Sequence, residues 1–205
     1  MADSLSPSLG ADGRIVEGII TTLNADQTAN ISPLGPIVGP LFETFVLRPF
    51  RTSTTYHNLK RTGQGVFHVT DDVNLFAQAA LGTPEPLPEM TPASKVNGKI
   101  LTGACRWYAL KVSQLDDSTE RTQIVAQCVD QGRQRDFLGY NRAQHAVLEA
   151  AILATRMHLL RGPDILAELD RLESPVAKTA SNVERRAFSF LRDHIQSRCV
   201  SGENT

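Results

Sequence analysis

At residue 137 the hydrophobic pattern changes period, and this change limits the architectures open to the chain. Residues 14–130 run as short β-branched and aromatic stretches punctuated by Gly, Pro, Asn and Asp. From 137 onward apolar residues recur at three- and four-residue spacing instead. A period of two belongs to strands and one of 3.6 to helices. The expected fold class is therefore mainly β with an α appendage (α+β). Strands do not alternate with long helices, which argues against a doubly wound parallel sheet and for a small barrel of sequential antiparallel strands.

The punctuation divides the β part into six strands. The first spans 14–23, and 28–35 forms a returning arm in which Pro33 and Pro36 must sit at an edge or an end. A third strand covers 43–48. A short helix at 56–61 is closed by Gly63, a fourth strand covers 65–70, and a second short helix at 73–81 is closed by Gly82. Residues 83–98 carry Pro84, Pro86, Pro88 and Pro92 and read as a long irregular loop. Strands at 102–115 and 121–129 complete the set. Three helices follow, at 141–161, from Gly162-Pro163, and from the capping box Ser181–Glu184. The domain reading is a frayed 1–13, a β unit 14–136, a helical unit 137–199 and a tail 200–205.

Charge narrows the partners. Lys plus Arg number 21 against 22 Asp plus Glu, a net charge of -1. That balance lacks the basic excess of a nucleic-acid or membrane-surface binder. No apolar run approaches the ~18 residues of a membrane span, and the first residues lack the basic-then-apolar pattern of a signal peptide. Cys105, Cys128 and Cys199 are odd in number and far apart, as expected of reduced thiols in a cytoplasmic protein. Phosphate-loop, dinucleotide, nucleophile-elbow and zinc-protease motifs are absent, and the five histidines show no metal-ligand spacing.

Three segments can carry chemistry. The stretch Arg48–Arg61 holds four cationic residues and no acid in a chain otherwise balanced. Arg51, Thr52, Ser53, Thr54 and Thr55 lie between a strand end and a helix start, where amides, hydroxyls and guanidinium groups make a phosphate cradle. Capping the helix with Thr54 or Thr55 would need only one of those hydroxyls. The second segment, Asn30, Ile31, Ser32, Pro33, Leu34 and Gly35, exposes backbone donors and acceptors that a planar heteroaromatic ring can use. An ordinary strand ending in a turn has the same composition. The third is the line Arg142, His145, Glu149 and Arg156, within about 60° of one another on a helix. Such a line serves first as architecture and second as part of a site.

The runs Ile31–Gly35, Arg48–Leu59 and Val66–Asp72 resemble the flavin-reductase-like split-barrel superfamily that binds FMN. With Gly139–Glu149 and Ala154–Arg156, the chain is similar to a family of archaeal and bacterial proteins catalogued as a domain of unknown function. In that family a split β-barrel precedes a helical part. The resemblance spans about residues 14–195 and implies a homodimer with FMN near the subunit interface. Carried over by position, it places Thr52, Ser53, Thr54 and Thr55, with Arg48 or Arg51, at the phosphate. Asn30, Ser32, Pro33, Leu34 and Gly35 then lie along the isoalloxazine ring, with Asn58 nearby. Asn141 and Arg142 are further candidates from the helical part.

The implied function is a flavin-dependent oxidoreductase acting on a small molecule, with the cofactor supplying the chemistry. A non-catalytic flavin-binding or dimeric interaction module uses the same cradle, and so does a site for another phosphorylated ligand. A shared fold does not choose among them.

Overall fold

The computed structural model describes residues 7–200. The chain divides into two compact units. One comprises residues up to Thr70 together with Leu87–Asp136, and the other comprises Asp71–Pro86 with the residues from Phe137 onward.

The first unit is an eight-stranded sheet with a two-stranded hairpin and one helix. In chain order its elements are β1 (Arg14–Ile15), β2 (Gly18–Leu23), β3 (Ala29–Leu34), β4 (Ile37–Val38), β5 (Thr44–Leu47), α1 (Thr54–Thr62) and β6 (Gln64–Val69). After an excursion into the second unit come β7 (Met90–Pro92), β8 (Lys99–Leu101), β9 (Arg106–Asp116) and β10 (Gln123–Arg133). The large sheet runs β1-β4-β5-β10-β9-β6-β2-β3, and β7 pairs with β8. Every pairing is antiparallel. In a flat sheet β4 and β2 would stand about 24 Å apart, five spacings of ~4.8 Å. Yet Val38 of β4 and Ile20 of β2 share one buried cluster with Phe45, Phe67, Tyr108, Leu110 and Ile124. The sheet is therefore curled around its core, and Tyr56 and Leu59 bring α1 into the same cluster. A second cluster, Val66, Val96, Ile100 and Ala109, lies under the β7–β8 hairpin. All six residues of β2 are buried, so this strand is covered on both faces.

The antiparallel strands expected from the sequence are present, and they number more than six. The 14–23 strand is broken at Val16, where the chain changes partner. β1 pairs with β4, and β2 pairs with β3 and β6. Pro33 lies in β3, an end strand of the sheet order, where a missing N–H costs least. The two-residue β4 is too short to show a period. The 83–98 loop contains β7, which its prolines conceal, since Pro92 is itself a strand residue. The strand expected at 102–115 starts at Arg106, because a turn with Ala104 N–H donating to the Leu101 carbonyl (3.2 Å) separates it from β8.

The second unit packs α2 (Val73–Leu81), α3 (Arg142–Thr155), α4 (Gly162–Thr179) and α5 (Asn182–Val200) around Val73, Ala77, Ala146, Val147, Ala150, Ile165, Leu169, Leu191 and Ile195. The sequence draws one divide at 137, whereas the chain contributes α2 to the helical unit. Val73 and Ala77 are buried there, with Ala80 and Leu81 packed against the same cluster. The helix expected at 141–161 stops at Thr155, where Arg156 N–H turns back to the Leu153 carbonyl at 3.0 Å. Ser181 caps α5 as expected, with its N–H donating to Glu184 Oε2 at 2.8 Å and its hydroxyl bonded to the same oxygen. Of the 1–13 segment expected to fray, residues 1–6 lie outside the described residues. Residues 8–13 close a turn in which Gly13 N–H donates to the Ser8 carbonyl (2.9 Å). In the 200–205 tail, 201–205 lie outside the described residues, and α5 runs to Val200.

Candidate functional site

The acid-free segment forms the six-residue connection that follows β5 and most of α1. The helix starts two residues earlier than its periodicity predicts because Ser53 caps it. The Ser53 hydroxyl accepts from Tyr56 N–H at 3.2 Å and donates to the Phe50 carbonyl at 2.7 Å. Capping therefore falls to Ser53, whereas the sequence points to Thr54 or Thr55. The first turn carries no acidic residue and the last carries Lys60 and Arg61. That distribution leaves the positive end of the helix dipole uncompensated by the helix's own residues. Arg51, Thr52 and Thr54 are exposed around this end. Arg48 is half-buried, and its Nε is buried with no hydrogen-bond partner among the described residues. A buried cationic donor without a partner is costly, and an anion is what would satisfy it.

Thr55 and Asn58 face the other way, into a polar network between α1 and the β2–β3 hairpin. Asn30 Nδ2 donates to Thr55 Oγ1 (3.1 Å) and to Thr22 Oγ1 (3.2 Å). Asn58 Nδ2 donates to the same Thr22 oxygen (3.1 Å) and to Asn24 Oδ1 (2.9 Å). Arg61 closes the chain of bonds, donating to Asn58 Oδ1 at 3.1 Å and to the Leu23 carbonyl. The structure thus joins three predicted residues, Asn30, Thr55 and Asn58, through a fourth that the sequence reading missed. Thr22 is 1% exposed at the centre of this network. The signal for it was present: two consecutive threonines interrupt an otherwise apolar strand.

Ser32, Pro33 and Leu34 are part-exposed along β3, followed by Gly35. The Ser32 hydroxyl makes only a long contact with the Pro33 carbonyl, at 3.4 Å. A Cβ on Gly35 would come within 2.6 Å of Glu17 Oε1, so a carboxylate lies close against that glycine backbone. Asn141 is a helix cap, its Oδ1 accepting from Ala143 and Gln144 N–H (2.8 and 3.2 Å) and its Nδ2 donating to the Thr179 carbonyl (3.2 Å). Arg142, His145, Glu149 and Arg156 are all exposed. Among the described residues no helix is long and apolar enough to cross a membrane.

On the far side of α1, Tyr56 Oη donates to Asp117 Oδ2 at 2.5 Å, and Lys60 Nζ donates to the same oxygen at 2.7 Å. The bond from Lys60, then that from Tyr56, holds the Asp117 carboxyl down to about 2, and the same pairing raises Lys60. His68 in β6 is fully buried. Its Nδ1 lies 3.1 Å from the Ile19 carbonyl, and its Nε2 accepts from Leu101 N–H at 3.1 Å. Burial lowers it to about 4, so the ring is neutral and bridges β2 to the β7–β8 hairpin.

Two family models match the chain in tandem. The N-terminal domain described as "Protein of unknown function (DUF447)" matches residues 16–135, more than half of the chain, and its C-terminal counterpart matches 141–193. No curated protein sequence matches the chain. Among solved structures, an FMN-bound protein from Methanosarcina mazei of the same family aligns with a TM-score of 0.76 at 22% identity. That alignment covers 88% of this chain and 94% of the other. The flavin reductase component of a bacterial two-component tryptophan halogenase aligns at 0.50 and 12% identity, over 61% of this chain and 84% of the other. The chain belongs to the family described as protein of unknown function (DUF447), with the split β-barrel fold of FMN-binding proteins followed in sequence by a helical part.

Proposed function

We propose that this protein binds FMN and acts as a flavin-dependent oxidoreductase. The observation that carries the reading is the start of α1, a capped helix end with no acid in its first turn and Arg51, Thr52 and Thr54 exposed about it. Such an end attracts a phosphate through its amides and dipole. The buried Nε of Arg48, without a hydrogen-bond partner among the described residues, fits the same group as a donor to an anion. Thr52, Ser53 and Thr54, with Arg48 and Arg51, then hold the phosphate. Thr55, Asn58 and Asn30 form the firm polar floor from which β3 leads toward Ser32, Pro33, Leu34 and Gly35 along the flavin ring. When bound, FMN supplies the hydride chemistry, and the protein orients it and shields one face from water. The FMN-bound relative of the same family supports the choice of cofactor. In this reading two copies of the chain pair with the flavin near their interface, in a cytoplasmic setting.

Three measurements test the reading. Titration with FMN and riboflavin, followed by quenching of flavin fluorescence, should show tighter binding of FMN, because only FMN carries the phosphate. Anaerobic addition of NADH or NADPH to the loaded protein should then bleach the flavin absorbance. Failure to bind either flavin sinks the cofactor assignment. Binding without reduction by either donor, or by reduced deazaflavin, favours the non-catalytic module. Sedimentation of the loaded protein reads its oligomeric state.

A further inference from the structure

The segment between Arg48 and Arg51 is fastened from one side by the residues that lead into β10. Pro49 has no backbone N–H, so its carbonyl is the only backbone group by which a hydrogen bond can hold it. Thr122 takes that carbonyl twice, donating its N–H at 3.0 Å and its hydroxyl at 2.8 Å, and Thr122 is 1% exposed. Phe50 forms a bridge with Arg121, and Arg51 N–H donates to the Glu120 carbonyl at 2.9 Å. Arg121 Nε reaches the Arg48 carbonyl at 3.4 Å. Four successive residues of the connection are therefore tied to 120–122. Asp117, in the same turn, grips the helix that follows through Tyr56 and Lys60.

We propose that the β9–β10 turn is a template for the phosphate cradle, and that Thr122 and Asp117 are positioning residues for anion binding. This rests on the FMN reading and adds residues to it that touch no ligand. A connection held in its binding conformation before the anion arrives spares the ordering cost that a loose one would carry. Thr122 fixes Pro49, and hence the backbone that carries Arg48 and Arg51. Asp117 fixes α1, and hence the amides at its start.

The test compares FMN with riboflavin in Thr122→Val, Thr122→Ser and Asp117→Asn, with unfolding of each unliganded protein measured alongside. Thr122→Val keeps the shape and loses the hydroxyl, and it should weaken FMN binding about tenfold, the equivalent of one hydrogen bond, while riboflavin binding stays within about twofold. Thr122→Ser should restore FMN affinity to within about twofold of wild type. Asp117→Asn, on a part-exposed turn, should weaken FMN about threefold and leave riboflavin unchanged, which keeps the proposal testable if the valine variant does not fold. Unchanged FMN affinity in a folded Thr122→Val, or equal losses for both flavins, overturns the template. Wild-type protein that binds neither flavin instead overturns the FMN reading and the template with it.

Discussion

Arg61 donates to Asn58 Oδ1 at 3.1 Å, and this bond decides which way the Asn58 amide faces. A guanidinium can only donate, so the oxygen must turn toward it and Nδ2 must point to Thr22 and Asn24. The orientation is passed along the network to Asn30, whose own Nδ2 meets Thr22 and Thr55. One cation on the last turn of α1 therefore orders a polar layer beneath the candidate site.

Removing the hub should cost most. Thr22→Val leaves one Asn30 donor and one Asn58 donor without their acceptor in a buried place. An unsatisfied buried donor costs about 1–3 kcal/mol. Urea unfolding should report a loss in that range or above, with an unchanged m value. A loss under about 0.5 kcal/mol would show that the network is not shared through Thr22.

Arg48 and Arg51 test the cradle directly. Changing both to Ala should weaken FMN by about 10- to 150-fold, equivalent to ~1.5–3 kcal/mol for hydrogen bonds to a charged group. Riboflavin binding should hardly move. Calorimetric titration with the two flavins separates the contribution of the phosphate from that of the ring.

Ser53→Ala removes the cap of α1, and Tyr56 N–H loses its acceptor. The expected loss is ~1 kcal/mol of stability. Thermal unfolding should show it, with Ser53→Asp close to wild type.

His68 predicts acid sensitivity. Its pKa in the folded protein is about 4, below the 6.5 of the free side chain, because burial opposes the charge. The unfolded chain therefore binds the extra proton first as pH falls. The stabilisation from a neutral His68 is complete above about pH 6.5 and is lost progressively between there and about pH 4. The total is on the order of 3 kcal/mol. His194 is shifted the same way, by burial and then by Arg198, so the comparison must be with a variant. His68→Gln should flatten the stability profile over that window while leaving the slope elsewhere intact.

Features written into adjacent residues were legible in the sequence. The helix Val73–Leu81 matches its expected span, because Asp72 begins it and Gly82 ends it locally. Ser181 and Glu184 announce α5 in the same way, and the prolines placed β3 at an edge. What stayed hidden depends on partners far along the chain. Thr122 looks like any strand threonine until Pro49 is brought to it, and Asp117 like any turn acid until Tyr56 and Lys60 arrive. The cationic run could be seen as a cradle, but the surface that shapes it lies 61 to 73 residues downstream.

The excursion of α2 into the helical unit has a consequence for the newborn chain. Val73, Ala77 and their neighbours leave the ribosome about 60 residues before α3, the first of the later helices they pack against. At ~5–20 residues per second, that is roughly 3–12 s during which an apolar helix has no partner from its own unit. The β unit is assembled from segments before and after α2 in sequence and does not use it. A gene truncated after residue 136 would make that temporary exposure permanent, so its product should aggregate or be degraded even though every strand of the sheet is present.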